Sequence, residues 1–487
     1  MHPTQHERSS ATESSFRDPA GRLIDTGDRV IRTVNASFRA DLEAFLSSKT
    51  CKKLTEKGSI ARTTLLSPEE VDALRENEFL KEAIDVSTGG IVVEHERIPF
   101  KSFPYEWPPE MLYEAGSLTL DIAESLLKEG MGLKDATPYN VLFRGPAPVF
   151  VDLLSFERRD ASDPIWLPAA QFERTFLLPL FVAKRFGLQL SQLLSTRRDG
   201  LEPEDVYKLC GPLAKLSPGL LSFVTIPTLL GRRTAKDETS LYEKRTSSNP
   251  EKARFILDLL FKRLRRALRR AKPEEGKVSV WSDYMVSNNN YSDVQIRRKE
   301  ELVEAALNDF APRTLLDVGC NTGHFSIVAA RRGASVVAID YDPVVVGSVW
   351  RQTRREGLDV LPLVVDLSRP SPGIGWLNRE CPSFLERAGG GFDAVLMLAI
   401  IHHLLVTERI PLAEILGLVA HLTRRLAVIE FISPEDSMFR RLARGRDHLF
   451  EGLTKGSFET ACQSHFEIVR SERIEQSSRW LYVLRKR

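Results

Sequence analysis

An α/β fold built on a parallel sheet is predicted for the C-terminal part of this chain, with an α+β region before it. Three observations lead there. From about residue 279 to the end, apolar strand-like runs alternate with helical runs, which implies a parallel sheet with helices on both faces. Within that stretch, "TLLDVG" and "SVVAID" flank a small-residue turn and an amphipathic helix, the pattern of a βαβ unit. Before residue 245, hairpin, helix, strand, long helix and two short strands follow one another without that alternation.

The chain has 487 residues, enough for two to three domains at roughly 100–200 residues each. Hydrophobic residues at 42% and charged residues at 28% fit an ordinary globular protein. A net charge of +2 gives no global reason to expect nucleic-acid binding, so any polyanion site must be local. The five cysteines are scattered and never form Cys-x-x-Cys, which argues for a reducing, cytoplasmic setting and against disulfides or a metal site. The polar start "MHPTQHERSSATESS" has no apolar core for a signal peptide, and no apolar run reaches the roughly 18 residues of a membrane span.

Four segments are expected: a disordered tail over 1–18, an α+β domain over 19–245, a basic amphipathic helix and linker over 246–278, and the α/β domain over 279–487. In the first domain "RLIDTGDRVIRTV" reads as a β-hairpin around Thr-Gly-Asp, and "SFRADLEAFLSS" as a helix. "GGIVVEHERIPFKSFPYEW" is strand-like, and "MLYEAGSLTLDIAESLLKEG" is an amphipathic helix closing at Gly130. Residues 164–245 are mainly helical. Between 252 and 272, nine of 21 residues are Lys or Arg against one acid, Asp258, and Leu257, Leu260, Leu264 and Leu268 recur at helical spacing. Such a helix can pack its leucine face on a domain, lie against RNA, or lie on a membrane surface with Phe255 and Phe261.

The strongest chemistry lies in residues 314–342. Gly319 and Gly323 let a backbone approach a ligand where a side chain would block it, and Asp340 ends the second strand, where a carboxylate can accept two ribose hydroxyls. "DVGCNTG" is not the dinucleotide pattern G-x-G-x-x-G, and Asp317 within it favours a cationic ligand over a pyrophosphate. The stretch resembles the first motif of class I S-adenosylmethionine-dependent methyltransferases, D-x-G-x-x-x-G, through Asp317, Gly319 and Gly323. The resemblance runs for about 200 residues, from "WSDYMVSNNNYSD" to the end. It implies a Rossmann-like fold, S-adenosyl-L-methionine as cofactor, and cofactor contacts from Asp317, Gly319, Asn321, Gly323, Asp340 and Asp366, the last beside the adenine. "FDAVLMLAIIHHL" then ends beside the methyl group, so His402 or His403 is the candidate general base. Glu430 stands at the end of the fifth strand. Tyr291, in "NNNYSD", is placed over the cofactor. The Asn-Pro-Pro-aromatic motif of many adenine and amide N-methylating enzymes is absent after the fourth strand, so DNA is not expected as substrate.

"LKDATPYN" and "VFVDLLSF" hold Asp135, Asn140 and Asp152 in the order helix, loop, strand, turn, strand. That order resembles protein kinases and small-molecule phosphotransferases, in which the first Asp orients the acceptor while the Asn and second Asp hold magnesium. The sequence departs from the pattern. Leu133 stands where a His is usual, Leu153 and Leu154 follow Asp152 in place of Phe-Gly, and no glycine-rich loop or Val-Ala-Ile-Lys strand precedes. Arg32 and Glu43 could stand in for the Lys–Glu pair. An inactive kinase-like domain with a nucleotide or metal remnant, an active phosphotransferase and a plain Asp-Asn turn all fit. The two halves in this order, with "FRDPAGRLI" and "YEW", resemble a bacterial family of two-part methyltransferases that includes nodulation proteins. The expected function is methyl transfer to a small molecule or a sugar or lipid-linked intermediate. RNA methylation, a bifunctional kinase–methyltransferase and a non-catalytic scaffold are the alternatives.

Overall fold

A computed structural model describes residues 12–13, 18–84, 89–234, 249–279 and 291–487. Most of the expected tail and residues 280–290, including the asparagines of "NNNYSD", lie outside the described residues. Two compact units emerge: Met1–Tyr105, Leu112–Phe143 and Ala147–Pro273 form one, and Glu106–Met111, Arg144–Pro146 and Glu274–Arg487 form the other.

The first unit opens on a five-stranded sheet. Its strands are β1 (Thr12–Glu13), β2 (Leu23–Asp25), β3 (Val30–Val34), β4 (Thr63–Leu65) and β5 (Ile91–His95), in the order β1-β2-β3-β5-β4. The β2–β3 hairpin closes at Gly27, whose φ of 92° suits glycine. Of the strand-like run after residue 89, only β5 pairs as a strand. Four prolines follow within fourteen residues, and the chain instead takes a short 3₁₀ turn at Pro104–Glu106. The helix Pro109–Leu127 leads to β6 (Met131–Leu133), β7 (Val141–Arg144), β8 (Ala147–Phe150) and β9 (Phe156–Arg158), paired as β6–β9 and β7–β8. Among the described residues, helices then dominate up to Pro250–Ala271. That last helix starts at Asn249, whose side chain accepts from Glu251 N, and buries Leu257, Phe261, Leu264 and Leu268 on one face.

The second unit is a seven-stranded sheet made of β10 (Thr314–Val318), β11 (Ser335–Asp340), β12 (Val360–Val364), β13 (Phe392–Met397), β14 (Thr423–Ile432), β15 (Phe466–Arg473) and β16 (Arg479–Lys486). The order is β12-β11-β10-β13-β14-β16-β15. The first five strands are parallel, and the closing β15–β16 hairpin is antiparallel. Strand order reverses between β10 and β13, so a ligand crevice is expected beyond the carboxyl ends of these strands.

Side chains alternate along each strand, and Leu315, Leu426 and Val428 belong to the core cluster that also takes Leu302, Val303 and Ala306 of the helix Asp293–Phe310. Continuing that period places Asp317 and Glu430 on the same sheet face, at the strand ends. Among the described residues no helix is long and apolar enough to cross a membrane.

Candidate active site

The site grows out of the turn after β10. Gly319 has φ 70°, Asn321 φ 50° and Gly323 φ 81°, a run of left-handed residues that turns the chain sharply into the helix His324–Arg331. The two glycines are also required by space. A Cβ on Gly319 would lie 3.0 Å from the Cδ1 of Ile400, and one on Gly323 would lie 2.8 Å from the Cγ2 of Val349. The backbone N–H groups of Gly319 and Cys320 both donate to Ile339 O, at 2.8 and 3.0 Å, fixing the turn to the end of β11.

Asp340 closes that strand. Its Oδ2 accepts from Asn321 N and its Oδ1 from Asp342 N, each at 3.0 Å, so the loop and the carboxylate hold each other in place. Each oxygen keeps a further lone pair, which is what a vicinal diol needs. Asp317 accepts from Ser326 Oγ at 2.6 Å. Burial pushes both carboxyls up to about 6. A neighbouring cation or added hydroxyl donors would restore their charged forms, and S-adenosylmethionine brings both. Asp366 lies just beyond β12, where Val365 N donates to Asp340 O at 2.9 Å. Its Oδ1 already accepts from the N–H and hydroxyl of Ser368, at 2.9 and 2.6 Å.

On the other side of the switch point, β13 runs into Ala399 at φ 53° and then a single π-turn, His403–Thr407. The two histidines part company there. His402 is buried and its Nδ1 has no hydrogen-bond partner, whereas His403 is partly exposed. Their rings lie 4.3 Å apart. Burial holds His402 well below the usual imidazole value, with His403, Arg479 and Lys299 adding to the effect, so it is neutral at physiological pH.

Glu430 is the centre of a second cluster. It is wholly buried, pairs with Lys299 at 2.7 Å, lies 3.6 Å from Nη1 of Arg479 and accepts from the Tyr291 hydroxyl. Burial alone would raise its carboxyl, but the two cations hold it below the normal range. The Tyr291 ring is flanked by Lys299 Nζ at 5.0 Å and by the Arg479 guanidinium at 4.3 Å from its centroid. Arg479 is anchored in turn by Asp436, at 2.8 and 3.2 Å. Sequence reasoning missed Lys299, Arg479 and Asp436. A signal for Lys299 existed: it sits on the apolar stripe of its helix, one turn before Leu302 and Val303, where a charge needs a buried partner.

In the first unit, Asp135, Asn140 and Asp152 also come together. Asn140 Nδ2 donates to Ser155 Oγ at 3.2 Å, and Ser155 donates to Asp152. Asp152 is bound by Arg32 Nη1 at 2.8 Å, and Arg32 pairs with Asp18 as well. Glu43 instead pairs with Arg39 of its own helix, at 2.8 Å. Burial, with Asp152 adding to it, raises the Asp135 carboxyl above its normal value.

This fold and this site define a class I S-adenosylmethionine-dependent methyltransferase. Residues 292–461 match the family described as a methyltransferase domain. Over 483 residues the chain is 30% identical to the nodulation protein NoeA of Rhizobium meliloti, covering 98% of this chain and 97% of that one. It therefore belongs to the NoeA family of nodulation proteins.

Among solved structures, the N-methyltransferase NodS of Bradyrhizobium japonicum is 15% identical over 41% of this chain and 99% of its own, with a TM-score of 0.31. The bifunctional kinase-methyltransferase WbdD is 17% identical over 40% of each chain, with a TM-score of 0.28.

Proposed function

We propose that the chain methylates a hydroxyl group of a small-molecule acceptor, a sugar or lipid-linked intermediate, with His402 as the general base. When bound, S-adenosylmethionine supplies an electrophilic methyl group on a sulfonium. Asp340 would accept the two ribose hydroxyls and Asp366 would meet the adenine, while Asp317 and Asn321 line the turn whose glycines would admit the ligand. The observation that carries the assignment of the base is the unpartnered Nδ1 of a buried, neutral His402, five residues beyond β13. That nitrogen would take the proton of the acceptor hydroxyl, whose oxygen would gain the methyl group as the carbon–sulfur bond breaks and S-adenosylhomocysteine leaves. His403, partly exposed, is the weaker candidate. Tyr291, held by Glu430 between two cations, would lie over the cofactor.

For the first unit, the ion pair between Arg32 and Asp152 favours an inactive kinase-like domain, since a fixed guanidinium already neutralises the carboxylate a metal would need. Five free, buried cysteines favour the cytoplasm.

The test is transfer of labelled methyl groups from S-adenosylmethionine into the low-molecular-mass fraction of a bacterial extract. His402→Asn is expected to lower this rate by about a hundredfold or more, with S-adenosylhomocysteine affinity unchanged. His403→Asn is expected to change it far less. An unimpaired His402→Asn enzyme contradicts the assignment of the base. Label that enters RNA instead contradicts the small-molecule reading.

A further inference from the structure

The basic helix Pro250–Ala271 has an outward face to which the proposed methyl transfer assigns no role. Its inward face is filled by Ala253, Leu257, Phe261, Leu264, Ala267, Leu268 and Ala271. At 100° per residue, Phe255, Leu259, Lys262, Arg266, Arg269 and Arg270 fall along the opposite side. That side is divided along its length. Its first turns expose Phe255 at 63%, Leu259 at 50% and the neighbouring Ile256 at 39%. The later turns expose only cations.

Two of the helix's arginines are occupied: Arg265 pairs with Asp121 and Glu124, and Arg263 donates to Ser222 O. Lys252, Arg254, Lys262, Arg266, Arg269 and Arg270 make no ion pair among the described residues.

We propose that this face docks on an anionic lipid surface. Phe255, Ile256 and Leu259 enter the boundary between headgroups and acyl chains, and Lys262, Arg266, Arg269 and Arg270 meet the lipid phosphates. Charge complementarity selects the anionic surface. The aliphatic pair beside Phe255 selects lipid over RNA, because Ile and Leu gain from an apolar boundary and offer a base neither charge nor a ring to stack on. The helix is about 33 Å long at 1.5 Å per residue, so it lies along the surface and does not cross it.

The full-length protein is floated with vesicles of phosphatidylcholine plus phosphatidylglycerol, and with vesicles of phosphatidylcholine alone. The protein is expected to float with the mixed vesicles only. Arg266→Gln with Arg269→Gln should weaken partitioning by roughly fivefold per charge. Phe255→Ser with Leu259→Ser should weaken it by about tenfold or more. All four side chains are exposed, so both variants should keep the melting temperature and S-adenosylhomocysteine affinity of the parent. Failure of the parent to float with anionic vesicles overturns the proposal. So does a Phe255→Ser, Leu259→Ser variant that floats as well as the parent, which would make the face a general polyanion site open to RNA.

Discussion

Asp340→Ala lowers the affinity for S-adenosylhomocysteine by about a hundredfold or more. Two hydrogen bonds to an ionised carboxylate, worth roughly 1.5–3 kcal/mol each, are lost together. The backbone N–H groups of Asn321 and Asp342 also lose their acceptor, which loosens the turn that carries Gly319 and Gly323. Isothermal titration reads the change directly. Asp366→Ala serves as the comparison and should cost about tenfold or less. Its carboxylate is partly exposed and already occupied by Ser368, so a ligand gains less from it. Equal losses in the two variants would mean that the ribose contact has been placed on the wrong strand.

Glu430→Gln destabilises the folded chain by about 3–5 kcal/mol, the cost of leaving a buried cation without its counter-charge. Lys299 is the ion left exposed to that cost, because its only carboxylate within 4 Å among the described residues is Glu430. Arg479 keeps Asp436 and suffers less. Combining Glu430→Gln with Lys299→Met should recover most of the loss, so the two changes are strongly non-additive. Chemical denaturation of the single and double variants measures both. Additive losses would show that the pair contributes no coupling. The cluster holds the helix Asp293–Phe310 to the ends of β14 and β16, and it fixes the Tyr291 hydroxyl.

The parts of this molecule that sequence makes legible are those built from neighbours. The βαβ unit is one: Gly319, Gly323 and Asp340 lie within 22 residues, and both the turn and the carboxylate follow from local rules. The basic helix is another, since its buried stripe is a matter of spacing. Glu430 was visible as an acid inside "LAVIEFI", but its partners were not. Lys299 stands 131 residues before it and Arg479 stands 49 after, and only the pairing of β14 with β16 and the seating of one helix bring them together. The N-terminal constellation shows the same limit. Asp135, Asn140 and Asp152 read as a set because they are close in sequence, while the Arg32–Asp152 bond spans 120 positions. The two histidines differ for a reason no spacing reveals: His402, just before the turn after β13, is buried, and His403, which begins it, is partly exposed.

The most direct measurement is titration of the protein with S-adenosylhomocysteine between about pH 7.5 and 5. Burial pushes the carboxyls of Asp317 and Asp340 up to about 6 in the free protein, and the proposed cofactor site uses both in their ionised forms. Binding lowers their proton affinity, so the ligand's affinity is flat above about pH 6 and falls as pH drops through it, approaching tenfold per pH unit for each group that must lose its proton. One molecule bound per chain at neutral pH, with that loss on acidification, is the predicted result. No binding at neutral pH up to about millimolar ligand, a free energy weaker than roughly −4 kcal/mol, would contradict the reading of this chain as a methyltransferase.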